Sequence, residues 1–167
     1  ALKLPQGGEI GVFLKRQDNH RRRTFRHPFS GEPTFSCEFR TMRYLQKRGV
    51  PISKLLFFAE RLIDGHHQAI LMTEELVNYR SLEQITEDMF AYGHPTLAAQ
   101  RSIIRGVATT VRKLHEARIQ HRSLYPKHLF VKMQGQSEPS VVVIDLEKSR
   151  VKILPTIRAL HDLATLN

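Results

Sequence analysis

The spacing of apolar residues changes several times along this chain, and each change marks an element. Val12 and Leu14 alternate with Phe13 and Lys15 across Gly11–Arg16, a period of two that predicts a short strand. Phe35, Phe39, Met42 and Leu45 then recur at helical spacing, and Gly49 with Pro51 ends that helix. Lys54–Arg61 and His67–Glu74 are strand-like, with Asp64-Gly65 between them as a hairpin signal. Ser81 and Gln84 have the spacing of a capping box for a short helix. Tyr92-Gly93-His94-Pro95 interrupts the chain. The strongest helical pattern follows over Leu97–Ala117, with Ile103, Val107, Val111 and Leu114 on one stripe. Leu129–Lys132 and Val141–Leu146 predict two short strands joined by a Gln-Gly-Gln-Ser turn, and Leu160–Leu166 reads as the start of a further helix. Sheet dominates the first half and helix the second, an α+β arrangement without internal repeats.

Composition adds bounds to this outline. The 167 residues suffice for one good core or two small lobes sharing a cleft, and 41% hydrophobic with 25% charged content is ordinary for a globular protein. No apolar stretch approaches the roughly 20 residues of a membrane span, and the first residues lack the blocks of a signal peptide. The start without Met and the helix that has barely begun predict a chain incomplete at both ends. A single Cys37 excludes an internal disulfide framework and fits a reducing compartment. The net charge of +10 favours a polyanionic partner: a phosphorylated substrate, an anionic membrane or nucleic acid.

The chemistry concentrates in residues 121–128, His-Arg-Ser-Leu-Tyr-Pro-Lys-His, followed seventeen residues after His128 by Asp145 at the end of Val141-Val142-Val143-Ile144. This is the layout of a protein-kinase catalytic loop followed by its metal-binding aspartate. His121, Arg122 and Leu124 match in register. Ser123 stands at the base position, where kinases hold aspartate, and His128 stands where they hold asparagine. Asp145 reads as a Mg²⁺ ligand, with a turn or cap residue as the bland alternative. His128 is an imperfect substitute for asparagine, because imidazole suits softer metals; donation to a phosphate is the other reading. Glu147 is a candidate second carboxylate. His121 and Arg122 are expected to brace the loop and the metal-binding turn by hydrogen bonds. Among nine histidines none has H-E-x-x-H spacing, which argues against zinc.

Upstream, Glu38 lies three residues after Phe35 and four before Met42, so it faces the apolar stripe of its helix. A carboxylate so placed needs a cation. Lys15 on the preceding strand supplies one, in the arrangement that holds nucleotide phosphates in kinases; pairing of Glu38 with Arg40 or Arg43 is the alternative. Gly7-Gly8-Glu9-Ile10-Gly11 is the nearest relic of a glycine-rich phosphate loop. Arg16, Arg21, Arg22, Arg23 and Arg26 form a basic run. It reads either as a solvated loop or as a clamp for an anionic substrate or membrane surface. Phe25 and Phe29 interleave with it, which keeps a nucleic-acid reading in third place.

Taken together, Val12-Phe13-Leu14-Lys15, Cys37-Glu38-Phe39-Arg40, Met72-Thr73-Glu74-Glu75-Leu76, His121–Val131 and Val143–Arg150 resemble the lipopolysaccharide kinase family, the Kdo/WaaP group of bacterial kinase-like proteins, and most of all its InaA-type members. Leu160-His161-Asp162-Leu163 is similar to the start of the helix after the activation segment in that family. The resemblance implies a two-lobed kinase-like fold, with an N-lobe over residues 1–77 and a partial C-lobe over 78–167. It implies ATP with Mg²⁺ and an acceptor hydroxyl on the lipopolysaccharide core or a related anionic envelope glycolipid, reached from the cytoplasm at the inner face of the bacterial inner membrane. By resemblance Lys15 and Glu38 form the nucleotide-holding pair, Asp145 is the metal ligand, and Met72 to Leu76, with Glu74 between them, is the hinge that meets adenine through its backbone. Ser123 departs from the active pattern, so a pseudokinase that binds nucleotide or protein without turnover stands as the alternative.

Overall fold

The computed structural model describes residues 2–3, 9–22, 29, 31–135 and 137–166. In chain order the elements are β1 (Leu2–Lys3), β2 (Glu9–Ile10), β3 (Val12–Asp18), β4 (Arg21–Arg22), β5 (Glu32–Pro33), α1 (Thr34–Gln46), β6 (Leu55–Ile63), β7 (His66–Glu74), β8 (Arg80–Ser81), α2 (Leu82–Tyr92) and α3 (Leu97–Glu116). They continue as β9 (Ile119–Gln120), a 3₁₀ turn at Pro126–His128, β10 (Leu129–Gln134), β11 (Ser137–Val143), a second 3₁₀ turn at Leu146–Lys148, β12 (Arg150–Val151) and α4 (Pro155–Leu166).

β3, β7 and β6 form an antiparallel sheet in the order β3-β7-β6, with the β6–β7 hairpin turning at Asp64 and Gly65, both at positive φ. Across this sheet Lys15, Leu71 and Phe58 lie in one row, and cross-strand partners point to the same face. That face is covered by α1, whose Phe39 stacks on Phe58 with ring centroids 4.3 Å apart. α1 ends where its sequence says it should. Gly49 at φ 65° lets the Val50 N–H reach back to the Leu45 carbonyl at 3.1 Å, and the Gly49 N–H reach Gln46. Val50 and Leu45 are then both buried in the core.

The second half is built on α3. Its apolar stripe, Ile103, Val107, Val111 and Leu114, packs into the same core as Leu124, Leu129, Val131, Val143 and Leu146. Gly106 permits the close approach to β11, because a Cβ there would stand 3.0 Å from Pro139 Cγ and 3.1 Å from Val141 Cγ2. The capping box at α2 is present in both bonds, Gln84 N–H to Ser81 Oγ at 3.1 Å and Ser81 N–H to Gln84 Oε1 at 3.0 Å. The two halves are tied where Val143 bridges Ile52 and donates its N–H to Pro51. Among the described residues no helix is long and apolar enough to cross a membrane.

Three sequence expectations need correction. The strand expected over Val141–Leu146 stops at Val143, because Asp145 takes a left-handed conformation and Leu146–Lys148 winds into a 3₁₀ turn. The polar stretch after Arg16 is partly extended, with β3 running to Asp18 and Arg21–Arg22 pairing with Glu32–Pro33. The last helix begins at Pro155 rather than Leu160, where a proline with its fixed φ suits a first helical turn. Arg23, Arg26, Gly7 and Gly8, singled out above, lie outside the described residues.

Candidate active site

Lys15 and Glu38 meet as the strand–helix spacing predicts. Lys15 Nζ is 2.9 Å from Glu38 Oε1 and 3.3 Å from Oε2, with Glu38 only 2% exposed. Burial pushes the Glu38 carboxyl above its ordinary value, and the Lys15 ammonium offsets part of that rise. Arg40, the alternative partner, is engaged by Glu32 instead. On its other side Lys15 Nζ comes within 3.8 Å of Asp145 Oδ1. One lysine on β3 therefore joins a carboxylate on α1 to a carboxylate beyond β11.

Asp145 sits at φ 60° and ψ 58°. A residue other than glycine held there costs on the order of 1 kcal/mol or more. Its side chain makes no cap hydrogen bond to the turn that follows, so the capping alternative fails. The conformation instead aims the carboxylate at Lys15 and at His128, whose Nε2 is 3.3 Å from Asp145 Oδ2. His121 braces this turn from below. It is fully buried, its Nε2–H donates to the Ile144 carbonyl at 2.9 Å, and its Nδ1 accepts the Ser123 N–H at 3.3 Å. Burial holds its pKa below the usual histidine value, which keeps the ring neutral. Ser123 is buried in the loop, and its carbonyl accepts from His128 Nδ1 at 2.7 Å. Glu147 lies on the 3₁₀ turn near enough to Glu38 to add to its unfavourable charge environment.

Arg122 acts through its main chain. It holds φ 69°, its side chain is exposed, and its N–H donates to Asp162 Oδ1 at 2.8 Å. Asp162 is the residue that motif reading placed on a helix but gave no task. It is fully buried and also accepts the His121 N–H at 2.8 Å and pairs with His115 Nε2 at 2.9 Å. Burial alone would raise its pKa; the bonds from His115, His121 and Arg122 outweigh that and lower it. α4 thus pins the catalytic-type loop to α3 through one carboxylate.

Of the residues expected to meet adenine through their backbone, Met72 lies within β7. It pairs with Leu14 on one side and Phe57 on the other, so its side chain lies on the sheet face away from α1 and Lys15. Phe13, two residues before Lys15 and hence on the cleft face, was overlooked; it is 60% exposed and pairs with buried Thr73. The parity of β3 was the available signal. Glu74 and Leu76 follow β7 in the connecting segment. The Glu74 side chain bonds Lys54 at 2.8 Å, and the N–H groups of Glu74 and Glu75 go to the carbonyls of Lys54 and Gly11. A Cβ on Gly11 would fall 2.8 Å from Glu75 Cβ, so this approach requires glycine.

The donor set suits a hard divalent cation in part. Asp145 offers a carboxylate, and Mg²⁺ commonly takes one or two of these plus phosphate oxygens and water. Among the described residues no three His, Cys, Asp or Glu gather around one point, so a cation held here would depend on oxygens brought by a ligand.

Comparison with known proteins fits this geometry. Residues 7–167 match the sequence model of the lipopolysaccharide kinase (Kdo/WaaP) family. The chain is 28% identical to Protein InaA of Escherichia coli strain K12 over 151 residues, 90% of this chain and 68% of that one. It is 31% identical over 119 residues to the lipopolysaccharide core heptose(I) kinase WaaP of the same strain, covering 69% of this chain and 44% of WaaP. The solved structure of WaaP in complex with acyl carrier protein superposes with a TM-score of 0.70 at 26% identity, over 94% of this chain and 61% of that one. The two-lobed kinase-like architecture is shared with that structure, the match runs through every segment that builds the cleft, and the chain belongs to the lipopolysaccharide kinase (Kdo/WaaP) family.

Proposed function

We propose that the cleft binds ATP with a divalent cation and transfers phosphate to a sugar hydroxyl of the lipopolysaccharide core or a related envelope glycolipid. The observation that carries this reading is the chain of contacts Glu38–Lys15–Asp145–His128, assembled from β3, α1 and the two loops of the second half. Lys15, oriented by Glu38, would hold the α- and β-phosphates, and Asp145 the cation that neutralises developing charge on the transferred group. Phe13, on the same face of β3, offers a flat apolar surface to the base. With the Glu74 and Glu75 N–H groups committed elsewhere, hinge bonds to adenine fall to the Glu74 carbonyl and the Leu76 N–H. The lobe boundary would then follow Leu76, near residue 77. Arg21 and Arg22 are proposed to meet the anionic acceptor or the cytoplasmic face of the inner membrane.

Ser123 limits the rate. A serine hydroxyl is not a base at neutral pH, and general-base help is worth about 10²–10⁴-fold. Positioning and charge stabilisation carry most of phosphoryl transfer, so slow transfer remains within reach of this site. The pseudokinase reading is favoured by the same residue and differs only in turnover. The test is transfer of labelled γ-phosphate from ATP to purified lipopolysaccharide core, with Ser123→Asp alongside. Slow transfer by the natural chain that rises in Ser123→Asp supports the kinase. ATP binding without transfer in either protein assigns the pseudokinase role.

A further inference from the structure

α1 begins without a cap of its own. Its N-cap residue is Pro33, whose side chain makes no cap hydrogen bond, and its first turn holds no acidic residue. The first N–H groups of a helix have no partner within it. Here β3 and the residues just after it supply acceptors. The Thr34 N–H donates to the His20 carbonyl at 3.2 Å, and the Phe35 N–H donates to Gln17 Oε1 at 3.1 Å. Phe35 is buried, so water does not readily replace that oxygen. A glutamine reaching across from a strand takes the place that Ser81 has at the start of α2.

Gln17 lies two residues after Lys15, so both point from β3 towards α1. Together they hold α1 at three points. Gln17 takes the Phe35 N–H, while the Lys15 ammonium stands 5.9 Å from the centre of the Phe35 ring and bonds Glu38. Glu38 follows Phe35 by three residues, on the same helical face. The far end of α1 is tied to the other half of the protein, where the Tyr44 hydroxyl donates to the Ala117 carbonyl at 3.0 Å. A helix anchored at its C-terminal end and released at its N-terminal end swings about the anchor, and its first turns move most. Glu38 lies roughly 9 Å from Tyr44 along the axis, so it moves with them. Lys15 then has a competitor at hand, Asp145 Oδ1 at 3.8 Å. A lysine drawn to Asp145 leaves the phosphates and neutralises the carboxylate proposed for the cation.

We propose that Gln17 is a positioning residue of the nucleotide site: by accepting the Phe35 N–H it fixes the first turn of α1 and holds Glu38 against Lys15. The consequence for nucleotide affinity rests on the phosphotransfer reading; the effect on the ion pair does not.

Two variants of the full chain separate the bond from the space it fills. Gln17→Met keeps the length of the side chain and gives up the amide oxygen, whereas Gln17→Glu keeps an acceptor there. Affinity for a fluorescent ATP analogue with Mg²⁺ should fall about fivefold or more in Gln17→Met, the lower end of what an unpaired buried N–H shifts an equilibrium, and should recover in Gln17→Glu. The Gln17→Met effect is then measured again in a Glu38→Leu background. Positioning through Glu38 predicts a further loss there of less than about twofold, because residues acting through one contact are not additive. An equal loss in both backgrounds, or Gln17→Glu as weak as Gln17→Met, overturns the proposal. Crystal structures of the natural and Gln17→Met chains without nucleotide read the ion pair directly. Lys15 Nζ and the Glu38 carboxylate should separate beyond about 4 Å in the variant, and an unchanged pair also overturns the proposal. A pair that opens in Gln17→Met, in a protein whose natural form binds no ATP analogue, would remove the phosphotransfer reading and leave the hold of Gln17 on Glu38 standing.

Discussion

Replacing Asp162 probes the support of the catalytic-type loop apart from its chemistry. Asp162→Ala removes the acceptor for the N–H groups of His121 and Arg122, both at 2.8 Å, and the partner of His115 Nε2 at 2.9 Å. The carboxylate is wholly buried, so water does not take its place without opening the α3–α4 contact. A buried donor left unpaired costs about 1–3 kcal/mol. Two backbone donors and a side-chain donor therefore cost about 3–9 kcal/mol, against about 5–15 kcal/mol of total stability for a domain of this kind. With a urea slope of about 1–3 kcal/mol/M, the midpoint should fall by roughly 2 M. Asp162→Asn keeps the volume but turns one acceptor into a donor facing an N–H, and should lose roughly half as much. His115→Ala leaves both backbone bonds intact and should cost the least, about 1–2 kcal/mol. Equilibrium urea unfolding followed by far-ultraviolet circular dichroism measures all three. A loss under about 1 kcal/mol in Asp162→Ala, or a ranking with His115→Ala as the most damaging, would refute the claim that this carboxylate pins the loop.

Other expectations follow from the same contacts. His121 has a lowered pKa in the fold, so the unfolded chain takes up its proton first as pH falls from near the ordinary value of about 6.5. Its contribution is thus present at neutral pH and lost on acidification. Urea midpoints measured from pH 7 to pH 5 should fall more steeply in the natural protein than in His121→Asn, and equal slopes would count against the buried neutral ring. Glu38 works in the opposite sense, because its raised pKa means that protonation favours the fold. Glu38→Gln should keep or raise thermal stability while weakening ATP binding, and a large loss of stability would contradict that sign. Gly11→Ala forces Glu75 away from the strand and should weaken nucleotide affinity by calorimetry more than it lowers stability; unchanged affinity would detach this contact from the cleft. Leu114→Ala, in the fully buried stripe of α3, should cost about 2–5 kcal/mol in the same urea assay, and a cost under about 1 kcal/mol would place Leu114 outside the core.

What the sequence disclosed and what it withheld divide along physical lines. α1, α3 and the capping box were legible because periodicity and cap chemistry are local. Glu38 was legible as a buried carboxylate because its position on an apolar stripe demands a partner, and the strand before it held one. The left-handed turn at Asp145 was not legible, since nothing local marks a residue other than glycine as strained; Lys15, His128 and the His121–Ile144 bond hold it there from distant segments. Asp162 was hidden for a related reason. Its three donors come from residues 40, 41 and 47 positions away, and only the folded chain brings them together.

The central claim, that the cleft around Lys15 and Asp145 is a nucleotide site, is tested most directly by ATP-dependent stabilisation in the presence of a divalent cation. A ligand that binds only the folded state adds about 2.7 kcal/mol at a hundredfold excess over its dissociation constant. The natural protein should show this saturable gain in unfolding free energy, and Lys15→Met and Asp145→Ala should each lose it while remaining folded. No stabilisation by ATP with any divalent cation, or the same stabilisation in all three proteins, would contradict the account.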